Sequence, residues 1–133
     1  MKTNSSGFVL LRSIVLVLSI LVLVIAAIMG IASGRGQARD ARRVADIKQV
    51  SEALKVYYEN NQKYPEDMSS QPKDMANYLE FWPKSPTPSD GSCTKEVNNY
   101  FYQQLDNGES YVLGFCIGHA VGGFDSGYYR INP

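Results

Sequence analysis

The stretch that decides the fold is SSGFVLLRSIVLVLSILVLVIAAIMG, residues 5–30. An apolar run begins almost at the start of the chain, with a single charge, Arg12, in its first turns. From Ile14 to Ala32 no side chain is charged, and Ser19 is the most polar. At a helical rise of about 1.5 Å per residue, that run spans a hydrocarbon layer of about 30 Å. A secretory signal has an apolar stretch of only about 7–15 residues before its cleavage site. The run is longer, so the spacing predicts a membrane helix, although AIMGIAS (residues 27–33) has the small residues of a cleavage site.

Working outward, GRGQARDARRVADIKQVSEALKVYYENNQKYP (residues 34–65) stays helical in pattern. Ile47, Val50, Leu54 and Tyr57 recur at steps of three and four and so share one face. Asp40, Asp46, Lys48, Glu52, Lys55 and Glu59 are expected mostly on the remaining surface. Pro65 ends the pattern, with Asn60-Asn61 as its last turn. One helix is therefore predicted from about Phe8 to Asn61, softened at Gly30, Gly34 and Gly36. Its apolar stripe needs a partner, and the rest of the chain is there to supply one.

The formal net charge is zero, but the distribution is lopsided. Lys2, Arg12, Arg35, Arg39, Arg42 and Arg43 face one acid, Asp40, which gives about +5 up to Arg43 and about −5 beyond it. A basic flank beside an apolar run suits anionic lipid headgroups or an acidic patch on a neighbouring copy. No direct nucleic-acid binding is predicted, because the remainder is acidic.

After Pro65, one short helix is expected near Lys73–Phe81, and Pro83, Pro86 and Pro88 force an extended path. Asn98–Leu105 and Ser110–Ile117 are rich in aromatic and branched residues around Asp106-Asn107-Gly108, the pattern of a hairpin. A last strand is expected at Gly127–Ile131. The fold class is α+β: a long N-terminal helix packed on a small antiparallel sheet. The nine tyrosines read as packing groups. The two cysteines, Cys93 and Cys116, favour a disulfide in an oxidising compartment, against two buried thiols. Closing that loop would stabilise a small domain by about 3 kcal/mol.

This order of parts resembles the type IV pilins and the pseudopilins of type II secretion, along nearly the whole chain. MKTNSSG followed by FVLL is similar to a prepilin leader. ARDARRVADIKQVSEALKVYYENNQKYP, PTPSDGSC and YVLGFCIGHAVGGFDSG are similar to major pseudopilins and small pilins. The resemblance implies a leader at residues 1–7, a membrane and filament-core helix at 8–33, its amphipathic continuation at 34–63, and an α+β head at 64–133. It implies cleavage between Gly7 and Phe8 by prepilin peptidase, methylation of Phe8, and a Cys93–Cys116 disulfide. The implied partners are further copies in a helical filament, other pilin subunits, the assembly platform and membrane lipid. The implied place is the cytoplasmic membrane with the head outside, then a surface or periplasmic filament.

Two positions depart from the family pattern. Arg12 stands where the family has a glutamate that meets a neighbour's terminal ammonium, and Met29-Gly30 stands where it has a proline. An arginine would repel that ammonium at low dielectric; alternatively, Arg12 snorkels to the membrane edge. Gly30-x-x-x-Gly34 could seat a neighbouring helix. Counting arginines alone would put the head in the cytoplasm; the cysteines and the resemblance place it outside.

No enzyme chemistry is expected. Cys93, Cys116 and His119 lack a fourth zinc ligand, and His119 reads as an ordinary loop residue. Major pseudopilins often bind calcium. Asp106, Asn107 and Glu109 carry the needed oxygens, but turn chemistry explains them. Neither they nor Asp125 makes a case for calcium, and no cofactor is expected. The alternative to a filament subunit is an uncleaved single-pass protein whose extracytoplasmic head binds a partner.

Overall fold

A computed structural model describes residues 5–133, with side chains for all of these except Ser5, Ser6, Ala32 and Ser33. Most of the expected leader, including Lys2, lies outside the described residues. The helix α1 runs from Ser5 to Asn61, 57 residues, and continues through Gly30, Gly34 and Gly36. It ends where Gln62 enters the left-handed region at φ 57°, and the Gln62 N–H bonds back to Tyr58 O at 2.7 Å.

The chain divides into two compact units, one ending at Arg35 and one covering Gly36–Pro133. In the first unit the helix carries no charge from Ile14 to Ile31. Its large hydrophobic side chains from Phe8 to Ile31 are all 49–71% exposed. The hydroxyls of Ser13 and Ser19 donate to Val9 O and Leu16 O within the helix, both at 2.9 Å. Neither hydroxyl therefore needs water, which suits an apolar medium.

The second unit contains the amphipathic part of α1 and the antiparallel sheet. Two short strands, β1 (Asp67–Met68) and β2 (Gln71–Pro72), form a tight hairpin with Ser69 and Ser70 both at positive φ. Then β3 (Phe101–Leu105), β4 (Ser110–Ile117) and β5 (Gly127–Ile131) form a three-stranded sheet with β4 in the centre. The β3–β4 connection is a single 3-10 turn at Asp106–Gly108. Asp106 and Asn107 are left-handed there, and Gly108 takes φ 99°. The turn chemistry expected of Asp-Asn-Gly is what the chain uses.

Side chains alternate across the sheet. Tyr102, Tyr111, Leu113, Phe115 and Ile117 are buried in one core with Ile47, Val50, Ala53 and Leu54 of α1. Tyr129 and Ile131 of β5 join that face. Aromatic pairs extend the core: Tyr64 packs edge-on to Tyr111 at 4.7 Å, and Phe115, Phe124 and Tyr129 form a mutual cluster with centroids 5.2–5.7 Å apart. Burial pushes the phenols of Tyr100 and Tyr102 well above their ordinary range, so both stay neutral. The Tyr100 hydroxyl donates to Asp46 at 2.9 Å and that of Tyr102 to Pro65 O at 2.7 Å.

Three expectations are corrected. No helix forms over Lys73–Phe81; a single turn does, in which the N–H groups of Tyr78 and Leu79 bond to Met75 O. Asp74 at φ 58° breaks helical geometry at its start, and Met75 and Leu79 anchor the turn in the core. The strand expected from Asn98 begins at Phe101, because the Asn98 side chain is held elsewhere, as described below. Asp40 is not a surface residue; it is fully buried.

Candidate functional site

Two places hold the site residues that the resemblance implies. In the first, Gly7, Phe8 and Arg12 all lie exposed on the first turns of α1. No atom within 4 Å confines a side chain at Gly7, Gly30 or Gly34. The helix is long and apolar enough to cross a membrane. In this stretch the exposed surface is almost wholly apolar.

The second place is the head's hold on α1. Cys93 and Cys116 are bonded, with Cα atoms 5.7 Å apart. The disulfide joins two segments, Asp90–Cys93 and Cys116–His119, and both approach the helix. Gly91 and Gly118 let their backbones meet: a Cβ at Gly91 would stand 2.1 Å from Gly118 O, and Gly91 takes φ 56°. Opposite them, α1 offers Gly36, Asp40 and Arg43.

Asp40 receives most of the contacts. Gly118 N–H donates to its Oδ1 and His119 N–H to its Oδ2, both at 2.8 Å. His119 Nδ1 lies 3.1 Å from Oδ2, and Arg43 Nη1 donates to Oδ1. Burial pushes the Asp40 carboxyl up, but the Gly118 and His119 N–H groups and the Arg43 and His119 side chains outweigh it. The group stays below its ordinary value and is charged at neutral pH.

Arg43 is fully buried too. It donates from Nη2 to Asn98 Oδ1 at 2.8 Å and to Pro86 O at 3.3 Å, and from Nε to Ser85 Oγ at 3.3 Å. Asn98 completes the set by donating to Pro86 O at 3.1 Å. Arg39 pairs with Asp90, whose buried Oδ1 accepts no hydrogen bond but lies 3.7 Å from Arg43 Nη1. A buried ion pair is stable only with its remaining donors and acceptors satisfied, and the loop residues do this. His119 is thus not an ordinary loop residue but part of the clasp between loop and helix.

Gly36 shows how tight the fit is. A Cβ there would stand 2.7 Å from His119 Cε1 and 2.9 Å from Nδ1. Gly36→Ala should gain about 1 kcal/mol in helix propensity. It should also drive the imidazole off Asp40, forfeiting a charge-assisted contact of about 1.5–3 kcal/mol. We expect a net loss of about 1 kcal/mol in urea unfolding of the head; a net gain would contradict the clasp geometry.

Among the described residues, no three His, Cys, Asp or Glu side chains converge as a metal site. Comparison of the chain with family models, with characterised proteins and with solved structures finds no match.

Proposed function

We propose that the protein is a filament subunit of the type IV pilin or type II pseudopilin kind, held in a membrane by the first half of α1 and polymerised through it. The observation that carries this reading is the helix from Ile14 to Ile31, exposed and uncharged on every side, continuous in sequence with the stripe that builds the head's core. Such a surface is equally satisfied by lipid tails or by the same surface of its copies, so it can exchange one for the other. A repeated head-to-tail contact that does not close into a ring grows into a fibre. The disulfide supports a head in an oxidising compartment.

Intact-mass measurement tests the proposal. Filament material sheared from cells should contain the chain without residues 1–7 and with one methyl group on Phe8. Arg12 favours a second reading, an uncleaved single-pass protein with a partner-binding head. Its positive charge, exposed near the start of the helix, suits phosphate headgroups and opposes a neighbouring ammonium. A retained Met1, with no chain in the sheared fraction, would select that second reading.

A further inference from the structure

We propose that the head binds a saccharide bearing a carboxylate, in a groove that runs from the outer face of the sheet around the β3 edge. Strand alternation defines that face: Tyr129 and Ile131 point into the core, so Tyr128 and Arg130 point out. Phe101 pairs with Gly114, and Gly114 pairs with Arg130, so these three make one row across the sheet. Gly114 is buried beneath Tyr128. A Cβ there would stand 2.2 Å from the Tyr128 hydroxyl oxygen, so only glycine lets the tyrosine lie across the strand.

The loops around Trp82–Thr87 and Glu96–Asn99, with the β1–β2 turn, wall this face into a groove of about 960 Å³. That is at the upper end of the range for small-ligand sites, about 300–1,000 Å³. Four aromatic residues line it: Trp82, Phe101 and Tyr128, with Tyr100 buried behind them. Trp82 is held edge-on to buried Tyr102 at 6.5 Å, so its ring is a fixed wall. Flat rings of this kind take the apolar C–H face of a pyranose, while hydroxyl and amide groups such as Ser85 and Asn99 match its rim of hydroxyls.

The charge of the groove selects among sugars. Lys84 and Arg130 line it against one carboxylate, Glu96, giving a local excess of one positive charge. The chain beyond Arg43, groove included, is about −5. The Arg130 guanidinium lies 5.9 Å from the Tyr128 ring centroid, which orients its planar fork before any ligand arrives. A fork of this kind binds a carboxylate through two parallel hydrogen bonds. Aromatics with cations also suit single-stranded nucleic acid. A polyanion, however, needs a track of positive charge, and here there are two cations on an acidic head.

Trp82 is the only tryptophan of the chain, so the groove carries its own reporter. The full chain in detergent micelles would be titrated with trigalacturonate, sialyllactose and a hyaluronan tetrasaccharide, with neutral maltotriose and oligothymidylate alongside. At least one acidic saccharide should give a saturable change in Trp82 emission, about tenfold tighter than maltotriose. Arg130→Gln should weaken it about tenfold while leaving the circular dichroism unchanged. If that variant fails to fold, exposed Lys84→Gln should give a smaller loss of the same kind. The proposal is overturned by silence from all three acidic saccharides, by equal affinity for maltotriose, by a response to oligothymidylate alone, or by unchanged affinity in the folded charge variants.

Discussion

Asp40→Ala is expected to destabilise the head by about 3–5 kcal/mol, the usual consequence of leaving a buried charge without its partner. Arg43 would keep its bonds to Asn98, Ser85 and Pro86 but lose its main counter-charge. The N–H groups of Gly118 and His119 would lose their acceptor as well. Small domains have only about 5–15 kcal/mol in total, so much of the margin would go. Replacing both members, Asp40→Leu with Arg43→Met, should recover part of the loss, because an apolar pair needs no compensation. Urea unfolding of the full chain in detergent, followed by Trp82 emission, checks both. A loss below about 1 kcal/mol in the single variant would mean that the pair is not buried as described.

The same carboxylate sets a pH signature. Its folded-state pKa lies below the ordinary 3.8, so the folded state favours the charged form. The stability this brings is complete above the ordinary value and is lost as pH falls from there through the folded value. Wild-type protein should therefore weaken below about pH 4 more steeply than Asp40→Asn, whose residue 40 does not titrate. Parallel acid limbs for the two proteins would show that Asp40 contributes nothing there.

Opening the disulfide should have the second large effect. The two cysteines are 23 residues apart, and a loop of that size contributes about 3 kcal/mol in the chain-entropy model. Cys93→Ser with Cys116→Ser, or reduction with dithiothreitol, should lower stability by about that amount. The loss should also be coupled to Asp40, since both act on the segments Asp90–Cys93 and Cys116–His119. Asp40→Ala in the cysteine-free chain should cost measurably less than in the oxidised chain. Strict additivity would show that the covalent bond and the ion pair hold the loops independently.

The sequence made some of this visible and hid the rest for a physical reason. Apolar spacing located the long helix, and alternation with turn chemistry located β4 and β5 to the residue. The buried face of α1, however, runs Gly36, Asp40, Arg43, Ile47, Val50, Leu54 in regular steps of four and three. Only its last half is apolar. Hydrophobic periodicity stops at Ile47, because the face is continued by a glycine and two opposite charges that would be solvated in any helix without a partner. Carrying the spacing backwards, regardless of residue type, would have found them. Asn98 was hidden in the same way, as a polar group whose partners lie 12 and 55 residues away. The β1–β2 hairpin left no pattern, since two-residue strands are too short to alternate. The Met75 turn misled because two apolar residues four apart look the same in a helix as in a single anchored turn. The cysteine pairing needed no geometry, since only one intramolecular pairing is available to two residues.

The position of the clasp governs how the head would respond to a mechanical load. Asp40 and Arg43 lie in the first two turns of the helix belonging to the second unit, before Ile47 and the aromatic core. Tension transmitted along α1 from its N-terminal side would reach the ion pair first. From there it would pass into two segments locked together by the Cys93–Cys116 bond, so the covalent link stands ahead of the packed interior as a strain relief.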